Sequence, residues 1–113
     1  MTSAAGWTKG YTANNVKLVR YSDVLLMAAE CEVEVGDLNK ARGYVNQVRK
    51  RAANPDGFVK DDEGNAAANY VISEYTDAWT SKDVARKAVR FERRIELGME
   101  GHRFFDLVRW GIA

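Results

Sequence analysis

The chain is short of most residues on which protein chemistry is commonly built. A lone cysteine, Cys31, excludes an internal disulfide framework, and a lone histidine, His102, leaves no His/Cys cluster to hold zinc. With 17 basic and 16 acidic side chains there is no net field to draw in nucleic acid or an anionic membrane surface. No window approaches eighteen apolar residues, so no membrane-spanning helix is expected. The opening MTSAAGWTKGYTANN lacks the basic segment and apolar run of an export signal. Missing too are a glycine-rich phosphate loop and a nucleophile set beside a base held by a third group. No metal, no cofactor and no nucleic-acid partner is expected, and an enzyme is the third choice of function.

What remains is enough for one domain with a modest core: 113 residues, 46% of them hydrophobic. The pattern predicts an all-α fold of about four helices with a long central loop. Residues 1–20 read as a loop or frayed end carrying Trp7 and Tyr11, and 21–113 as the helical region. Ser22 is a good N-cap for a first helix over Asp23–Val35, with Leu25, Ala28, Ala29, Cys31 and Val35 on its apolar stripe and Gly36 as a left-handed stop. Cys31 on that stripe is expected to be a small buried hydrophobe. Asp37 caps a second helix in which Leu38, Ala41, Val45, Val48 and Ala52 recur at threes and fours, ending near Ala53 because Pro55 disfavours helix at Asn54. The short Gly36-Asp37 connection makes the two helices antiparallel neighbours.

From Asn54 to Thr80 the periodicity dissolves, and Asp61, Asp62 and Glu63 before Gly64 read as a solvated acidic turn rather than a calcium loop. Thr80 with Asp83 forms a capping box that starts a third helix at Ser81 and runs it to about Met99; a short fourth follows from His102 to Trp110. On the third helix Val84, Ala88, Phe91, Ile95 and Met99 share a face that is expected to pack. Its charges are less ordinary. Arg90 with Arg94, Glu92 with Glu96, and Glu96 with Glu100 are like-charge pairs four apart, each unfavourable by roughly 0.2–0.5 kcal/mol in an isolated helix. Their partners must lie on other elements. Because Arg93, Arg94, Glu96, Arg103, Asp106 and Arg109 interleave with Phe104, Phe105, Leu107 and Trp110, they read as ion pairs bracing a packed junction, not as a glycosidase carboxylate pair. The specific expectation is that Arg93 or Arg94 pairs with Asp106, Glu30 or Glu34. His102, with no triad around it, reads as a hydrogen-bonded structural residue.

The run ERRIELGMEGHRFFDLVRW, Glu92 to Trp110, closely resembles the signature near the C-terminus of the SusD/RagB family, glycan-binding outer-membrane lipoproteins of Bacteroidetes. Leu18–Glu30, LVRYSDVLLMAAE, is similar to the family's arginine-tyrosine helix opening, and the two matches stand in the family's order. The helix pair around Gly36, Asp37, Leu38 and Ala41 resembles a tetratricopeptide unit, in which small residues allow close approach and which needs neighbours to bury its faces. The resemblance implies a piece of a longer, secreted protein cut at both ends, whose lipid-attachment cysteine lies upstream and is not Cys31. It also implies a structural role for Glu92, Arg93, Arg94, Glu96, Glu100, Gly101, Arg103, Asp106, Arg109 and Trp110. The implied activity is capture of an oligosaccharide or similar nutrient at the cell surface and its delivery to a TonB-dependent transporter, with these helices mainly as scaffold. Sugar rings stack on exposed aromatic faces, and loop position makes Tyr70, Tyr75 and Trp79, with Asp77 beside them, the candidate ligand contacts. The alternative is a stand-alone tetratricopeptide-like module that binds a peptide or protein. Apolar faces left open in so short a chain can also pair between copies without physiological meaning.

Overall fold

A computed structural model of the chain describes residues 17–113, and the expectations on Trp7 and Tyr11 lie outside that range. Its elements are α1 (Tyr21–Val35), α2 (Leu38–Ala52), a single 3-10 turn (Pro55–Gly57), α3 (Lys82–Glu96) and α4 (His102–Arg109). Among the described residues there is no β-sheet, only one isolated bridge between Lys60 and Ala66. None of these helices is long and apolar enough to cross a membrane. The all-α expectation is met.

The start of α1 differs from the expectation. Ser22 does not cap it: the helix begins at Tyr21, with extended Arg20 at the N-cap and no side-chain cap bond. The Asp23 and Val24 amides donate to the Arg20 carbonyl at 3.0 and 3.3 Å, while Ser22 is buried in the first turn with its hydroxyl unpartnered. Long-range ties on the Arg20 side chain, described below, set the boundary in place of local capping. At the other end Gly36 is not left-handed (φ −125°, ψ −136°). Its missing side chain makes room instead. A Cβ there would fall on the Glu32 carboxylate, which folds over the turn to accept the Asp37 amide at 2.9 Å and the Lys40 ammonium at 3.2 Å.

Asp37 caps α2 as expected, its Oδ1 accepting from the amides of Asn39 (2.7 Å) and Lys40 (2.9 Å). The two-residue connection folds α2 back along α1, against which it packs most extensively, and α3 lies across both. Leu25, Leu26, Ala29 and Val33 of α1 meet Ala41, Val45 and Val48 of α2 and Ala85 and Val89 of α3, with Trp79 closing one side. Ala29, Ala41 and Ala85 are fully enclosed. Three such small residues in one core let the helix axes come close.

On α3 the expected packing face is not the one that packs. Phe91 and Ile95 are 51% and 52% exposed, Val84 and Met99 are also exposed, and of that face only Ala88 packs in part against the core. The buried side lies about a third of a turn around the helix, at Ala85, Val89, Glu92 and Arg93. The charged pair decides the orientation, because only that rotation brings both groups to partners on α1, α2 and α4. The helix also stops earlier than expected, at Glu96, without a side-chain cap at Ser81. Leu97 then turns into the interior, and the chain reverses through Met99 (φ 66°) and Gly101 (φ 80°) into α4. Cys31 is a further correction: it is exposed on the side of α1 away from the core.

The central segment is held by side chains of α2. Asp61 Oδ1 accepts the amides of Glu63 and Asn65, making the acidic turn self-capping, and Phe58 stacks on Tyr70 with ring centroids 4.2 Å apart. Further on, Arg42 donates to the Thr76 carbonyl and Arg49 to that of Ser73. Asn46 pairs with Tyr75 as a strand neighbour would, its Nδ2 donating to the carbonyl (2.9 Å) and its Oδ1 accepting the amide (2.8 Å). Asn46→Ala is therefore expected to lower stability by about 1–2 kcal/mol, two part-buried bonds at ~1 kcal/mol each. It should also speed hydrogen exchange at the Tyr75 amide at least tenfold. Unchanged exchange there would show that the segment is held by other contacts.

Candidate functional site

Arg93 sits at the junction of three helices, 4% exposed, and uses its whole guanidinium. Nε and Nη2 fork onto the Asp106 carboxylate of α4 at 2.8 and 3.1 Å, and Nη1 donates to Asp23 Oδ1 of α1 at 2.9 Å. Asp23 and Asp106 are themselves buried. A planar five-donor group is the side chain that can satisfy two carboxylates at fixed angles in a dry site. It is Arg93, and not Arg94, that makes the pair with Asp106; Arg94 is exposed and forms no ion pair among the described residues.

Around this centre each glutamate of the like-charge series has a basic partner from elsewhere. Glu92 accepts from Arg49 of α2 at 2.8 Å. Glu96 is shared between Arg20 at 3.0 Å and Arg51 at 2.7 Å, and Arg20 also reaches Glu100 at 2.6 Å and the Glu96 carbonyl at 2.8 Å. Arg20 thus straps the entry of α1 to the exit of α3. On the opposite side Arg109 forks onto Glu30 at 2.7 and 2.9 Å and touches Asp106 at 3.0 Å, and the Trp110 indole N–H donates to Glu30 at 2.6 Å. The Trp110 ring is flanked by the guanidiniums of Arg90 (4.7 Å), Arg109 (5.4 Å) and Arg103 (6.0 Å). Glu34 is taken by Arg86, not by the motif arginines. Gly101 carries the left-handed turn that aims α4 back at α1. His102, half-buried behind it, makes no hydrogen bond among the described residues, contrary to expectation.

Two buried carboxylates respond in opposite directions. At Asp106 burial pushes the carboxyl up, but the Arg93 and Arg109 bonds together outweigh it and hold the group below its ordinary value. At Glu92 burial outweighs the single Arg49 bond, and the pKa is raised. A carboxyl raised on folding binds its proton more tightly in the native state, so it adds stability as pH falls through its folded value. Glu92→Gln keeps an acceptor for Arg49 without the charge. It is expected to change stability at pH 7 by less than about 1 kcal/mol and to remove the gain that appears as pH falls toward the ordinary carboxylate range, read from urea midpoints. A loss of several kcal/mol at pH 7 would show that the charge itself is required.

The four residues expected to contact ligand lie on one extended stretch, but not all are open. Trp79 is 7% exposed and belongs to the core, edge-on to Tyr75 at 5.4 Å, so the expected exposed ring is absent there. Tyr75 is half-buried with Arg49 over its face at 4.6 Å. Tyr70 has one face on Phe58, and its hydroxyl accepts the Val59 amide at 3.2 Å. Asp77 is exposed. Among the described residues no group of three His, Cys, Asp or Glu side chains is placed to hold a metal. Sequence reasoning missed Asp23, Arg20, Arg49 and Arg51 as members of the lattice. The available signal was an excess of glutamates on α3 that had to be answered by arginines elsewhere.

The family model described as the SusD family matches residues 1–113. Two proteins of Formosa agariphila are similar: SusD-like protein P25, 36% identical over 104 residues, and SusD-like protein P38, 34% identical over 98 residues. These alignments cover 88% and 84% of this chain but only 16% and 17% of the relatives, so the chain spans about one sixth of their length. The arginine at the entry of α1 and the charged run of α3 and α4, the two stretches that carry the resemblance, are the ones the lattice joins, and the match runs the length of the chain: it belongs to the SusD family.

Proposed function

We propose that the chain is scaffold of a non-enzymatic binding protein that captures a glycan or similar nutrient at the outer-membrane surface and works with a TonB-dependent transporter. The observation that carries this reading is the consumption of most of the motif's charges, Arg94 and Arg103 being the exposed exceptions. Glu92, Arg93, Glu96, Glu100, Asp106 and Arg109 are all engaged with partners on other parts of the chain or on one another. Groups so satisfied brace a junction and are poor acids, bases or nucleophiles. Direct ligand contact from this chain is assigned to the 70–79 stretch, through Asp77 and the open edges of Tyr70 and Tyr75, with Trp79 as the anchor beneath them. The tetratricopeptide-like pair α1–α2 supports the second reading, a module that binds peptide or protein.

Tryptophan fluorescence separates the two. The full polypeptide encoded by the gene is titrated with a panel of oligosaccharides and with a peptide library. Saturable change with one glycan class, and no cleavage of it, is expected. Tyr70→Ala with Asp77→Ala should weaken that binding about tenfold while the melting temperature stays within a few degrees. Turnover of the glycan, or saturation by peptides alone, would sink the proposal.

A further inference from the structure

Going beyond that reading, the geometry points to α1 as an interior helix: we infer that its outward stripe, Val24, Met27, Cys31 and Val35, is covered by an apolar helix of the same polypeptide lying outside these 113 residues. The core side of α1 is Leu25, Leu26, Ala29 and Val33. At 100° per residue the outward stripe lies nearly diametrically opposite, and all four of its members are exposed. A surface helix carries one apolar stripe, whereas a helix apolar on two opposite sides belongs between two layers. Among the described residues only one of those layers is present, supplied by α2 and α3.

The shape and charge of the open side state what fits it. A groove of about 650 Å³ runs along α1 toward α4, with Met27, Cys31 and Val35 on one wall and His102 and Arg109 on the other. Its charged neighbours are already neutralised, Asp23 by Arg93, Glu30 by Arg109 and Glu34 by Arg86. The groove therefore asks for no counter-charge. An uncharged ridge of aliphatic side chains spaced three and four apart fits. The relatives are long enough to supply such a helix, since the chain spans about one sixth of their length.

Cys31 is a built-in reporter, being the chain's one thiol and standing midway along the stripe. Its alkylation rate is measured in the 113-residue chain and in the full polypeptide encoded by the gene, with Cys31→Ser identifying which signal belongs to it. The expected result is free-thiol reactivity in the short chain and at least hundredfold protection in the full polypeptide. Met27→Glu should leave helicity of the short chain unchanged and lift the protection in the long one. Equal rates in both, or a reading frame that encodes nothing further, overturn the inference. Protection that grows with concentration of the short chain also overturns it, since a second copy would then be the occupant. None of these outcomes depends on whether glycan binds.

Discussion

Arg93→Leu is expected to destabilise the domain by about 3–5 kcal/mol, the usual effect of removing one partner from a buried ion pair. The loss is not that of three hydrogen bonds alone. Asp23 is left enclosed without a cation and Asp106 keeps only Arg109, so a stranded carboxylate must take up a proton or drag in water. Against a total stability of roughly 5–15 kcal/mol this leaves a marginal fold. Urea unfolding followed by circular dichroism checks it, and a shift below ~1 kcal/mol would mean that the site is wet. Arg93→Lys should recover only part, because an ammonium cannot fork onto Asp106 while holding Asp23. Replacing Arg93, Asp23 and Asp106 together by apolar residues of similar size should cost less than Arg93→Leu alone, since no charge is then stranded. Acid tests the same site: the Asp106 pKa is depressed on folding, so its contribution is complete above about pH 4 and fades as pH falls through the lower folded value.

Ala41→Leu is the second large effect, at about 3 kcal/mol, the upper part of the range for forcing methylenes into a close-packed core. Ala41 has no exposure, and it shares the core with Ala29 and Ala85, which are also fully enclosed. The added methylenes meet a close-packed core, so α1 and α2 must separate. Thermal unfolding should show a melting temperature lower by roughly 10–15 °C. A drop of only a degree or two would show that the helices approach less closely than three enclosed alanines imply.

Local chemistry was legible where one residue decides it. Asp37 announces α2, and the Gly36-Asp37 connection announces the helix pair. The unanswered glutamates of α3 announced partners on other elements, and the partners are there. Orientation was not legible. Apolar spacing chose the face of Phe91 and Ile95, yet Glu92 and Arg93 turn inward, because a satisfied charge outranks a half-buried ring when only one can face the junction. The same blindness applies to Trp79, whose loop position said surface while its contact with Tyr75 and the core says anchor. Helix starts at Tyr21 and Lys82 were misplaced by a residue or two because tertiary ties, not caps, set them.

The placement of the Arg93 centre also bears on the order in which the chain folds. Asp23 stands 70 residues from Arg93 along the chain, and Asp106 stands 13. The α1–α2 hairpin closes over a two-residue loop, whereas the charged centre cannot form until α3 has crossed back over it and α4 has turned at Gly101. Non-local closure of this kind comes late. Contacts absent from the transition state act on the rate of leaving the native state, so the lattice works as a latch: it does little to hurry the chain into place and much to keep it there.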